Sequence, residues 1–187
     1  GSFGHQIVDR LREEGPAEIR IFSRDEDKQV RMSEEYGMGH RYPRKDMLDF
    51  VIGDVRNPES VRAAVRGIDV VFHAAALKQV PSCEYHVWEA VQTNVIGAQN
   101  VIQAALEENV EKVVAVSTDK AVKPVNAMGM TKSIQEKLFT AANFHNSGKR
   151  TVFTCVRYGN VVGSRGSVIP LFKRQIESGG PLTITDT

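Results

Sequence analysis

No apolar run in the chain approaches the ~18 residues that a membrane-spanning helix requires, and no signal peptide is visible. Cysteine is scarce. Cys83 and Cys155 stand alone, without metal-ligand spacing or a disulfide framework, which points to a reducing, cytoplasmic setting. His5, His40, His86 and His145 share no spacing suited to a metal, so none is expected. An excess of either charge is missing as well: 24 Lys and Arg face 23 Asp and Glu, a net charge of +1. That balance removes any compositional case for nucleic acid or an acidic membrane surface. Repeats and low-complexity tracts are absent. So is an initiator Met: the chain opens at Gly1 inside a turn-to-helix sequence and stops at Thr187, just after an apolar run. We expect a segment of a longer protein, which leaves room for a membrane tether upstream.

What is present is enough for one domain with a real core: 187 residues, 41% hydrophobic and 25% charged. Strands are predicted at 18–22, 49–52, 68–74, 112–116, 151–156 and 182–184. Helices are predicted at 6–14, 25–36, 58–66, 88–108, 126–145 and 168–178. The alternation defines an α/β fold, a Rossmann-like doubly wound parallel sheet. The first, central strand of such a sheet would precede Gly1 and is missing from this chain. These 187 residues alone are therefore expected to be poorly stable; cooperative unfolding at an ordinary mesophilic temperature would refute that. Trp88 is expected in the core or between helices, Cys83 and Cys155 as packing residues, and 37–45 as an irregular exposed loop. Residues 1–165 read as the dinucleotide-binding domain and 166–187 as the start of a second, substrate-binding region.

Gly1-Ser2-Phe3-Gly4, just before a helix, carries the spacing of the last two glycines of a dinucleotide-binding loop. Gly permits a tight turn and close approach of a pyrophosphate to a helix N-terminus. Ser23-Arg24-Asp25 ends the second predicted strand, where the adenosine ribose would lie. An acid there serves a 2′-hydroxyl and an Arg a 2′-phosphate, so Ser23 and Arg24, with Lys28 a turn later, favour NADP over NAD. Asp54-Val55 would flank an adenine. The small residues of His73-Ala74-Ala75-Ala76 would either admit a flat cofactor or simply pack tightly against a helix.

The chemistry centres on Val116-Ser117-Thr118-Asp119-Lys120, at a strand end, and Met128-Gly129-Met130-Thr131-Lys132, opening a helix. Met128 and Lys132 are four apart and share a helix face. Asn94 would either bridge to the strand through its amide or satisfy a helix carbonyl.

Together with Ile21-Phe22-Ser23-Arg24-Asp25-Glu26, His73 to Pro81, Arg157-Tyr158-Gly159-Asn160-Val161-Val162 and Ser164 to Pro170, these stretches resemble an extended short-chain dehydrogenase/reductase. In particular, the chain is similar to the inverting UDP-N-acetylglucosamine 4,6-dehydratases of the capsule and O-antigen branch, in which Met replaces the Tyr of the Tyr-x-x-x-Lys motif. The resemblance implies a bound NADP, UDP-N-acetylglucosamine as substrate, a homo-oligomer, and removal of water across C5 and C6 with inversion at C5. It implies Asp119 as the acid at C6, with a raised pKa, and Lys120 as the base at C5, with a lowered one. Thr118 would bond O4 and Lys132 the nicotinamide ribose. Met128 cannot relay a proton, which leaves Lys120 or a water ordered by Thr118 as base for the C4 hydroxyl. Adjacent strand residues point to opposite faces, so the chain must leave regular strand at Asp119. Asn160 and Lys173 would face the UDP pyrophosphate and ribose, and Ser167, Val168, Ile169 and Pro170 would line the nucleotide. Thr183 would edge the uracil, and Lys78 would meet cofactor or substrate phosphates. Two other readings are a non-catalytic NADP-binding sensor and a nucleotide-sugar 4-epimerase. Residues 1–187 alone are not expected to turn over.

Overall fold

The computed structural model describes residues 1–38, 44–45, 47–145, 148, 150–162 and 168–184. The first half runs α1 (Ser2–Glu14), β1 (Ile19–Ser23), α2 (Glu26–Glu35), β2 (Arg44–Lys45), β3 (Leu48–Ile52), α3 (Pro58–Val65) and β4 (Val70–His73). Then follow α4 (Val80–Tyr85), α5 (Val87–Val91), a π-turn over Gln92–Ile96, α6 (Gly97–Glu107), β5 (Lys112–Thr118), α7 (Ala127–Phe144), β6 (Val152–Tyr158) and α8 (Val168–Glu177). Local chemistry sets the helix starts. Asp25, Asn57 and Asn126 each accept the amide three residues on, and Pro58 occupies the first turn of α3. Gly15 closes α1 in the left-handed region at φ 65°.

The strands form two three-stranded sheets, β1-β3-β2 and β4-β5-β6. Pairing is parallel except where β2 runs against β3. One edge of β1 and one of β4 have no strand partner among the described residues. β5, central in its sheet, is a nearly continuous apolar run because both of its faces are covered. The main core gathers Val61, Val101, Ala105, Val113, Phe139 and Phe153 from α3, α6, β5, α7 and β6. A second cluster, of Val8, Ile19, Met32, Leu48 and Phe50, holds α1 and α2 to the first sheet. Gln29, fully inside, donates to the carbonyls of Ser23 and Val51 and so ties α2 to the ends of β1 and β3.

Several sequence expectations need correction. The helix predicted from 6 begins at Ser2, so Ser2, Phe3 and Gly4 lie in its first turn and not in a loop. The helix predicted over 88–108 is interrupted by the π-turn. Trp88 is 65% exposed, because it sits on the outer side of short α5. Residues 182–184 form no strand: Thr183 instead folds back on α8, its hydroxyl accepting from Gln175. In the 37–45 segment, Arg44–Lys45 pair with β3; 39–43 lie outside the described residues. Cys83 is buried and Cys155 half-buried, as expected.

Candidate active site

β5 ends in the group the sequence singled out. Past Thr118 the chain leaves the strand for a 3-10 turn, Asp119–Ala121, as the facing argument required. The Thr118 hydroxyl donates to Asp119 Oδ1 at 2.8 Å, and Lys120 Nζ donates to the same oxygen at 3.1 Å. Lys120 Nζ also donates to Asn160 Oδ1 at 3.0 Å, across from the end of β6. The structure thus brings Thr118, Asp119, Lys120 and Asn160 into one hydrogen-bonded group on an open face. The expected pKa of Asp119 is reversed: the Thr118 hydroxyl first, and then Lys120, hold its carboxyl below the ordinary range. The turn leaves Asp119 exposed beside two donors, whose hydrogen bonds outweigh the desolvation that would raise it.

Lys132 is buried behind this group. Its Nζ donates to Val116 O and Gln135 Oε1, both at 2.7 Å, and burial lowers its pKa to about 8. Met128, at the Tyr position, is 5% exposed and packs with Cys83 and Ala90 against Leu77, Val80 and Ala127. It is a packing residue between α7, α4 and α5. Helix α7 starts against the turn itself. A Cβ on Gly129 would lie 2.6 Å from the Lys120 carbonyl oxygen and 3.3 Å from Pro124. Gly129→Ala is therefore expected to displace the Asp119–Lys120 backbone, lowering stability by about 1–3 kcal/mol and turnover by about 10²-fold while the fold persists. Circular dichroism with steady-state kinetics on the full-length protein checks it; unchanged kcat would remove the packing argument.

Asn94, in the π-turn and fully buried, bridges neither to β5 nor to a helix carbonyl. Its amide takes the Leu77 N–H and donates to the Leu77 carbonyl and to Thr131 Oγ1, joining the segment after β4 to α7. The π-turn places it there. Gly97 follows because Val55 Cγ2 would lie 2.8 Å from a Cβ at that position.

Past the carboxyl ends of β1 and β3, Arg24 is half-exposed and reaches Asp54 at 3.4 Å. Asp54 is held more firmly by Arg56, whose guanidinium and amide lower its pKa most. Arg56, Asp54, Asn57 and Gln92 line a cavity of about 320 Å³. Ser23 Oγ accepts the Asp25 amide, and Lys28 is paired with Asp25. Val55 is turned into the main core, and Ala75 packs against it. Ala74 and Lys78 are exposed. Among the described residues, chain neighbours and the helix's own backbone aside, nothing lies within 4 Å of a Cβ built on Gly1 or Gly4. Gly1 and Gly4 at a helix start and Arg24 past β1 could hold a dinucleotide, whereas Val55, turned into the core, is not placed to flank an adenine. Val168, Ile169, Pro170 and Lys173 lie on α8, which buries none of its residues and makes none of the bonds joining the strand-end group. Ser167, and Ser164 to Gly166, fall outside the described residues. Among the described residues, no His, Cys, Asp and Glu cluster would hold a metal, and no helix is long and apolar enough to cross a membrane.

The fold is a Rossmann-like α/β arrangement of parallel strands. Across residues 1–187 the chain matches the model of the polysaccharide biosynthesis protein family, and it belongs to that family. It is 52% identical over 190 residues to the UDP-glucose 4-epimerase of Rickettsia conorii, covering all of this chain and 54% of that protein. Among solved structures, Pen from Bacillus thuringiensis is 45% identical with a TM-score of 0.93, covering all of this chain and 56% of that one. A dTDP-glucose 4,6-dehydratase from Streptomyces venezuelae, with NAD bound, shares the fold at 22% identity and a TM-score of 0.76, covering 97% of this chain and 61% of that one. The chain spans about half the length of the curated relatives it matches.

Proposed function

We propose that the whole protein is an NADP-dependent UDP-N-acetylglucosamine 4,6-dehydratase that inverts C5, in the cytoplasm, for surface polysaccharide synthesis. The observation that carries this reading is the acid–amine pair Asp119–Lys120, bridged to Asn160 at the strand end. Plain oxidation or 4-epimerisation needs a base at O4 but no acid at C6. NADP, when bound, would supply the hydride acceptor for C4 and return the hydride at C6.

The chain's own residues would move the protons. With Met128 packed away, the C4 hydroxyl would meet Thr118, whose hydroxyl already donates to Asp119. Asp119, ionised at rest, would take that proton through Thr118 and thereby acquire the proton it must give to the C6 hydroxyl as water leaves. Lys120, once neutral, would take the C5 proton, and a proton reaching C5 from the opposite face would complete the inversion. Lys132 would keep positive charge near the nicotinamide ribose. Asn160, Lys173, Val168 to Pro170, Ser167 and Thr183 would hold the nucleotide, with 166–187 opening the sugar-nucleotide region and Lys78 at the phosphates.

Arg24 carries the NADP preference. Arg24→Ala in the full-length protein is expected to weaken NADP binding at least about tenfold and leave NAD binding nearly unchanged, read by calorimetry. Equal effects on both would remove the preference. The main test incubates the full-length protein with UDP-N-acetylglucosamine and NADP⁺ in deuterated water, followed by NMR. A 4-keto-6-deoxy product with deuterium at C5 supports the reading; recovery of a C4 epimer alone would replace it with the epimerase reading, which the name of the rickettsial relatives favours.

A further inference from the structure

Glu136 lies one turn beyond Lys132 on α7 and is buried. Its Oε1 accepts from Ser117 Oγ and from Arg157 Nε, the latter at 2.9 Å, and its Oε2 accepts from Arg157 Nη2 at 2.6 Å. Ser117 and Arg157 are register partners across β5 and β6. The next pair is Thr118 with Tyr158, and beyond it the strands release Asp119–Lys120 on one side and Gly159–Asn160 on the other. We propose that Glu136 is a positioning residue whose carboxylate clamps the end of β5 to the end of β6 and so sets the span that Lys120 and Asn160 bridge.

The clamp is built from strong parts. A guanidinium fork and a hydroxyl converge on one carboxylate, and removing the acid leaves a buried Ser117 hydroxyl and the Arg157 fork without their acceptor. Arg157 above all, and Ser117 after it, hold the carboxyl below the ordinary range against the opposing effect of burial, so it is charged at neutral pH. That charge also faces Lys132 and favours its protonated form, while burial disfavours it. The other groups coupled to Lys132 are Cys155 on β6 and His73 on β4.

The role of the clamp in turnover rests on the proposed dehydratase reading; its effect on Lys132 does not. The full-length protein carrying ¹³C-labelled lysine side chains is titrated by NMR, with Lys132 assigned from Lys132→Arg, and turnover of UDP-N-acetylglucosamine is measured in parallel. In Glu136→Gln, Lys132 is expected to titrate lower than in the wild type. The same variant is expected to lose about 10²-fold in kcat, with a smaller change in KM. Glu136→Asp should restore part of both. A folded Glu136→Gln protein with an unmoved Lys132 titration overturns the proposal, whether or not the wild type turns over this sugar. Should Glu136→Gln not fold, Ser117→Ala keeps the Arg157 pair and decides the clamp: about a tenfold loss of kcat supports it, and wild-type kcat in a turning-over protein overturns it.

Discussion

Asp119→Asn in the full-length protein is expected to lower formation of the 4-keto-6-deoxy sugar by about 10²–10⁴-fold, the span of a positioned acid or base. The amide keeps an oxygen for Thr118 and Lys120, so local geometry should survive; what it loses is the ability to take and give a proton. Because Thr118 donates to Asp119, the effect should reach the first step as well as the second. Reduced nicotinamide should then fail to accumulate, read by its absorbance in a single turnover. Accumulation of reduced cofactor without product would confine Asp119 to C6 and return the C4 proton to Lys120 or to water. Product at the wild-type rate would end the assignment.

The second large effect is on stability. His73 at the end of β4 is buried against Phe139, and burial, aided by the nearby Lys132, pushes its pKa down from 6.5 to about 3. The folded state keeps the ring neutral; the unfolded chain takes up a proton as pH drops below 6.5. The stability this represents is fully present above pH 6.5 and is lost as pH falls from there toward about 3. At roughly 1.4 kcal/mol per pH unit, the loss should reach about 2 kcal/mol by pH 5. Carboxylates held below their ordinary range, such as Glu136 and Asp54, act in the same direction but only below roughly pH 4. Lys132 acts only above about 8. The interval from 7.5 to 5 therefore isolates His73. Urea midpoints of the full-length protein across that interval should fall, and His73→Leu should flatten the profile. A flat wild-type profile would contradict the burial argument.

The sheet and its helices were legible because their signals are local and periodic: β5 reads as an apolar run, and α7 follows a capping Asn. The departure from strand at Asp119 was legible too, since an acid and an amine on consecutive strand residues cannot share a pocket. Other features depend on contacts remote in sequence. The π-turn has no propensity signature, yet Thr93-Asn94 on an otherwise buried helical face and Gly97 after it were available signs. The direction of the Asp119 pKa depended on whether the turn exposes it, which spacing does not specify. Glu136 carries no signal in the sequence, where a lone Glu four residues after a Lys reads as a solvated helix pair; the approach of Ser117 and Arg157 gives it a role. Spacing marks Met128 only as the residue at the Tyr position; that Cys83 and Ala90 join it in a hydrophobic seam depends on contacts remote in sequence.

Asn94 holds Leu77 by both its N–H and its carbonyl and holds Thr131 by its hydroxyl, and Thr131 in turn donates to the Met128 carbonyl. The segment carrying Lys78 is thereby moored to α7 and not only to the strand it leaves. Lys78 and Lys132 are geared together: a shift of α7 that repositions one must carry the other. Substitutions in the Met128–Cys83 seam should accordingly move the segment after β4 and the start of α7 in step.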